Sequence, residues 1–236
     1  MLSYSSCSLF YKCPYMFQQR GELNVRTSAM ELGSNIDYML NLLMIKHIKD
    51  EKKQIECLER IEGQKVGLDI VKNGDLCSMF DVPEMVKQWY IDFLQSGYEV
   101  LDVQPHFVIE ELDYHGFADA LFSLDGQRIV IENKTTSKYY DKFFSSKKHS
   151  MQAVGYAIGL NTDAVRYQFF NTRNMTDYCS ASLFVRDEDK ANFKEWVQLV
   201  RDNEHSMIRN TEWCAYNDCP LRDYCMNYND EPLNEL

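Results

Sequence analysis

Apolar positions in the first half of the chain recur at helical spacing. Residues 8–19 form a short apolar stretch. From about Ser28, the residues Met30, Leu32, Ile36, Met39, Leu40 and Leu43 fall on one stripe that continues in charged form to about Glu62. A third helix is expected over residues 82–95, with Pro83 in its first turn and Gly97 past its end. Beyond Tyr98 the period changes. Residues 99–111, 117–124 and 128–132 are rich in Val, Ile, Leu and Phe and read as strands, and Asp125-Gly126 between the last two is a strong hairpin signal. A helix over about 146–160, strands near 165–170 and 179–185, and an amphipathic helix over about 187–205 follow. Residues 211–236, rich in Cys, Asn and Asp, predict irregular structure. This order predicts an α/β fold, a mixed central sheet flanked by helices, with a helical N-terminal region (1–97), a core (98–205) and a Cys-rich tail (206–236).

Composition narrows the class. At 236 residues, 45% hydrophobic and 13% aromatic, the chain can bury a core, and 10 Gly with 5 Pro argue against repeats and long linkers. No run approaches the roughly 20 apolar residues of a membrane span, and the N-terminus has no basic leader, so a cytoplasmic protein without membrane contact is expected. In that setting the eight cysteines read as metal or cluster ligands or as buried thiols, not disulfides. A net charge of -11 speaks against nucleic-acid binding through global charge.

The hairpin brings chemistry into view. With Asp125-Gly126 as a two-residue loop, Leu124 pairs with Gln127 and Asp119 lies opposite Glu132. Opposed residues have Cβ atoms about 4.5–5.5 Å apart, where like charges repel. A divalent cation between the carboxylates would reverse that sign, and hard oxygen ligands suit Mg²⁺ or Mn²⁺. Glu132 and Lys134 share one face of the strand, while Ile129 and Ile131 point to the other. The same residues could also form an ordinary solvated sheet face.

Gly116-Phe117-Ala118-Asp119, then Glu132-Asn133-Lys134, then Gln152-x-x-x-Tyr156 resembles the motif order of the PD-(D/E)XK nuclease superfamily. The likeness is to its RecB-like branch, which includes CRISPR-associated RecB-like exonucleases, AddB-type nuclease domains and phage-encoded relatives. Ser5 with Cys13-Pro14 is similar to that branch's N-terminal motif. Leu32-Gly33-Ser34-Asn35-Ile36-Asp37 is similar to its Leu-Gly-x-x-Ile-His motif, with Asp37 where a metal-binding histidine is usual. Ala118 stands where the superfamily name has Pro. The resemblance implies a restriction-endonuclease-like core with Asp119, Glu132 and Lys134 as catalytic residues. It implies Mg²⁺ or Mn²⁺ held by Asp37, Asp119, Glu132 and the Asn133 carbonyl, and Gln152 and Tyr156 contacting DNA.

Two further clusters fit this frame. Cys214, Cys219 and Cys225 lie in a polar tail, and a closed four-thiolate site needs one more ligand; spacing leaves zinc and iron–sulfur both open. The resemblance implies Cys13 as the fourth ligand and a [4Fe–4S] cluster, with Cys7 a competitor. Cys57, Cys77 and Cys179 read as packing residues. Lys134, Lys138, Lys142, Lys147 and Lys148 face only Asp141 in charge and interleave with Tyr139, Tyr140, Phe143 and Phe144, the composition of a single-strand groove. The expectation is a metal-dependent DNA exonuclease preferring single strands or ends. Its alternatives are a non-catalytic iron–sulfur or zinc module binding DNA or a protein partner, and a nuclease subunit of a CRISPR spacer-acquisition complex. A protein partner in recombination, repair or CRISPR adaptation would accompany such roles.

Overall fold

The computed structural model describes residues 1–20, 28–62, 83–137 and 150–210. Helices α1 (Tyr4–Lys12), α2 (Pro14–Gln18), α3 (Ser28–Ile45), α4 (Glu51–Glu62) and α5 (Glu84–Gln95) precede the strands. Then come β1 (Glu99–Val103), β2 (His106–Ile109), β3 (Tyr114–Phe117), β4 (Ala120–Leu124) and β5 (Gln127–Thr136). Helix α6 (Met151–Gly159), β6 (Ala164–Asn171), β7 (Tyr178–Phe184) and α7 (Asp187–Asp202) complete the order.

The helical N-terminal half is more broken than its apolar pattern predicts, for local reasons. Pro14 has no N–H with which to continue α1 and instead opens α2 at its first position. The long stripe after Ser28 divides at 46–50, where Asp50 Oδ1 accepts hydrogen bonds from the Lys52 and Lys53 amides at 2.9 and 3.2 Å and starts α4. Pro83 stands just ahead of α5 as its cap residue, and Gly97, at φ +74°, ends the helix as expected.

The main sheet has the order β1-β4-β5-β6-β7. Only β5 and β6 run parallel within it, joined through α6, so the sheet is mixed. Strands β2 and β3 form a separate two-stranded ribbon. Side chains alternate across β5, so its two faces feed two cores. Val130 packs with Phe107, Tyr114, Tyr156 and Phe193 beneath α1, α6 and α7. Ile131 packs with Trp89, Phe93, Phe122 and Phe170 beneath α3, α4 and α5. The strand bearing Glu132 and Lys134 is therefore central and covered on both sides, which removes the solvated-face reading: Glu132 is 2% exposed. Among the described residues no helix is long and apolar enough to cross a membrane.

Candidate active site

The β4–β5 register is the expected one, with Leu124 opposite Gln127 and Ala120 opposite Ile131. Asp119, however, lies one residue ahead of β4 and off the ladder. The cause is a kink in the neighbouring strand pair. Val103 opposes Ala120 and His106 opposes Phe117. Between these pairs the Gln104 amide donates to the Asp119 carbonyl at 2.9 Å and the Ala118 amide to the Pro105 carbonyl at 3.2 Å. Gln104 adopts the left-handed region, φ +54°, and Pro105 follows it. The run expected as one strand over 99–111 is thus two, and so is the run ahead of Leu124. Released from the ladder, Asp119 accepts a hydrogen bond from the Asn133 backbone amide through Oδ2 at 2.6 Å.

Asp37 reaches the same place from α3. The helix approaches the end of β5 closely at Gly33, where an added Cβ would lie 3.0 Å from Thr135 Oγ1, tighter than an ordinary side-chain contact. One turn later, burial and then the Glu132 carboxylate push the Asp37 pKa up to about 7, with Lys134 opposing. Asp119 is likewise held well above the usual carboxylate range by burial and by Glu132 and Asp37, against the opposite pull of Lys134 and the Asn133 amide. Burial works against the Lys134 ammonium, but Glu132 and Asp119 outweigh it and hold its pKa above that of an ordinary lysine. Lys134 Nζ donates to Glu132 Oε1, and the lysine side chain keeps 25% of its surface exposed. Three carboxylates and one ammonium, from α3, the β3–β4 link and β5, thus share a single electrostatic neighbourhood.

Gln152 and Tyr156 stack on α6 as their spacing implies, with Gln152 Nε2 donating to the Tyr156 hydroxyl at 2.8 Å. Tyr156 is a buried residue whose ring meets Phe107 edge-on at 5.7 Å. Burial, with Glu132 and Asp119 adding to it, raises its pKa, so the hydroxyl is within electrostatic reach of the carboxylates. Tyr167 was invisible to motif reading. It faces the site because the parallel β5–β6 register sets it beside Glu132, and burial and Glu132 contribute to pushing its hydroxyl up to about 12. No sequence signal marks it, since that pairing is made across a crossover.

The N-terminal Cys-Pro motif meets the other end of the described chain. Cys13 is buried, and its Sγ accepts from the Asn210 amide at 3.4 Å. The Tyr15 amide donates to the Ile208 carbonyl at 3.1 Å, and Asn210 Nδ2 to the Lys12 carbonyl at 2.9 Å. Cys13 therefore contacts Asn210, which precedes Cys214 by four positions in the sequence. Cys214, Cys219 and Cys225, together with Lys138, Lys142, Lys147 and Lys148, lie outside the described residues.

Among the described residues no three His, Cys, Asp or Glu side chains are gathered in a ready-made metal cage. The donor set nevertheless fits a hard cation. Its atoms are carboxylate oxygens, and Glu132 Oε2 is buried without a hydrogen-bond partner among the described residues. Mg²⁺ in particular is commonly held by one or two carboxylates, with water and phosphate completing its shell.

The mixed sheet thus carries Glu-x-Lys on its central strand beside an off-ladder aspartate. Residues 1–226 match the model of the PD-(D/E)XK nuclease superfamily, and the chain belongs to it. Solved structures similar to it include a protein from Eubacterium rectale described as a candidate exonuclease (TM-score 0.48, 11% identity, covering 100% of this chain and 90% of that one). Others are an alkaline exonuclease from Laribacter hongkongensis (0.38, 12%, 80% and 93%) and a phage-related exonuclease from Haemophilus somnus (0.39, 11%, 70% and 92%). No curated protein matches the chain.

Proposed function

We propose that the protein is a metal-dependent deoxyribonuclease of the RecB-like branch, an exonuclease acting on single-stranded DNA or DNA ends. The observation that carries this reading is the Asp119 carboxylate held by the Asn133 amide between Glu132 and Lys134, which are themselves paired, with Asp37 in electrostatic reach. Asp119 and Glu132, with Asp37 and the Asn133 carbonyl, would hold Mg²⁺ or Mn²⁺. When bound, the cation supplies phosphate polarisation and a more acidic water.

The chain's own groups do the rest. Lys134 is an ammonium in this setting, so it acts as a charge that orients water and offsets negative charge developing on phosphate, not as a base. The Asn133 amide fixes the direction of the Asp119 carboxylate. Gln152 and Tyr156 line the approach from α6, with Lys138, Lys142, Lys147 and Lys148 as the phosphate-binding stretch ahead of it. Cys13, Cys214, Cys219 and Cys225 would bind a [4Fe–4S] cluster clipping the two chain ends together. The buried position of Cys13 against residues 208–210 supports that reading.

The test is degradation of end-labelled single-stranded DNA by purified protein with Mn²⁺, compared with Lys134→Ala. Full activity in the variant overturns the mechanism. Anaerobic purification yielding brown protein, and colour lost in Cys13→Ala, checks the cluster; zinc in colourless protein would replace it.

A further inference from the structure

We propose that Arg60, on a helix that matches none of the motifs, is a positioning residue for the Asp119 carboxylate; this rests on the nuclease reading above. Arg60 does not reach the acidic cluster. Its Nη1 instead meets the kink opposite Asp119, 2.6 Å from the Val103 carbonyl, 2.8 Å from the Gln104 carbonyl and 3.0 Å from Asp102 Oδ1. The Val103 carbonyl and the Gln104 N–H are the two ends of one planar peptide unit. Arg60 holds one end, and the other donates to the Asp119 carbonyl at 2.9 Å. A tilt of that plane is therefore passed directly to the Asp119 backbone, from which Oδ2 reaches the Asn133 amide at 2.6 Å.

The clamp answers a need in the backbone. Gln104 takes a left-handed conformation at φ +54°, which a residue with a Cβ disfavours, so the kink persists only if its surroundings hold it. Without it the β1–β4 ladder would run on, and Asp119 would be one more strand residue.

Helix α4 supplies its own control. Lys53, Cys57 and Arg60 lie on one stripe and all meet Asp102, Lys53 at 2.8 Å through Oδ2 and Cys57 at 3.3 Å through Oδ1. Among these three, the Val103 and Gln104 carbonyls are taken by Arg60. Losing Lys53 loosens the helix, whereas losing Arg60 also frees the peptide that holds Asp119.

The experiment measures Mn²⁺ affinity from the free-ion electron paramagnetic resonance signal, without DNA, alongside thermal melting in EDTA. Arg60→Ala should weaken Mn²⁺ binding about tenfold or more, the usual loss when a ligand's support is removed, while Lys53→Ala lowers the melting temperature without that loss. Arg60→Lys, whose shorter ammonium cannot span both carbonyls and Asp102, should fall between wild type and Arg60→Ala. It also carries the test if the alanine variant does not fold. Wild-type affinity in the Arg60 variants, or an equal loss in Lys53→Ala, overturns the proposal. Asp119→Ala separates the two levels. Undiminished Mn²⁺ binding there sinks the nuclease reading and this proposal together. Lost binding there, with wild-type affinity in the Arg60 variants, sinks this proposal alone.

Discussion

Glu132 and Lys134, two residues apart on β5, are joined side chain to side chain on a strand covered by helices on both faces. Such a pair is poor value as a stabiliser, because desolvation of its charges offsets much of their attraction. Breaking it is another matter, since Glu132 is almost wholly buried. Lys134→Ala should cut DNA degradation by about 100-fold or more if Lys134 stabilises developing charge. The same variant should melt lower than wild type in EDTA and recover with Mn²⁺, as the cation replaces the lost ammonium. Calorimetry with and without Mn²⁺ checks this; equal melting in EDTA would contradict it.

Asp37, half-buried, is repelled by Glu132 and has no ion pair of its own among the described residues. Asp37→Asn removes one of the mutually repelling carboxylates. It should raise the melting temperature in EDTA and shrink the stabilisation that Mn²⁺ confers. Asp37→His should keep that stabilisation, because imidazole is a competent ligand for Mn²⁺ at the same position. Melting curves across a Mn²⁺ titration distinguish the three proteins.

The Asp102 carboxyl is held below the usual range: burial opposes this, but hydrogen bonds from Lys53 and Arg60 and the Arg60 charge prevail. A carboxylate with a depressed folded pKa contributes stability above its unfolded pKa of about 4 and loses it as pH falls through the lower folded value. Wild type should therefore lose stability below about pH 4 more steeply than Asp102→Asn. Urea unfolding midpoints at a series of acidic pH values measure the difference, and parallel curves would refute it.

Gly159 ends α6, where alanine would ordinarily favour the helix by up to about 1 kcal/mol. Here an added Cβ would lie 2.0 Å from Phe107 Cδ2, far inside contact distance. The clash should win, and Gly159→Ala should destabilise by about 1–3 kcal/mol, the usual cost of overpacking. Phe107→Leu in the same chain should recover part of that loss, read from denaturant midpoints.

Much of this site was legible in one dimension because it is local. Asp125-Gly126 sets a two-residue turn, and the turn sets the β4–β5 register through backbone geometry alone. Alternation along β5 puts Glu132 with Lys134, and a four-residue step puts Gln152 with Tyr156. Helix ends marked by Pro83 and Gly97 were readable for the same reason. The strand breaks at Gln104 and Asp119 were not. Pro105 marks a break in the first run, but nothing local marks Gln104 itself as left-handed, and its carbonyl accepts from an arginine more than forty residues earlier.

The sequence by itself determined most of the elements, the hairpin register and the shared face of Glu132 and Lys134, all consequences of local backbone preference and side-chain period. Only the tertiary structure decided that the Glu132 face is buried rather than solvated, since burial depends on which helices cover it. It likewise decided that Asp119 leaves its strand to meet the Asn133 amide, that Tyr167 pairs beside Glu132, and that Arg60 binds the Val103 carbonyl. Those relationships join residues distant in the chain, and no spacing rule encodes a contact that packing alone creates.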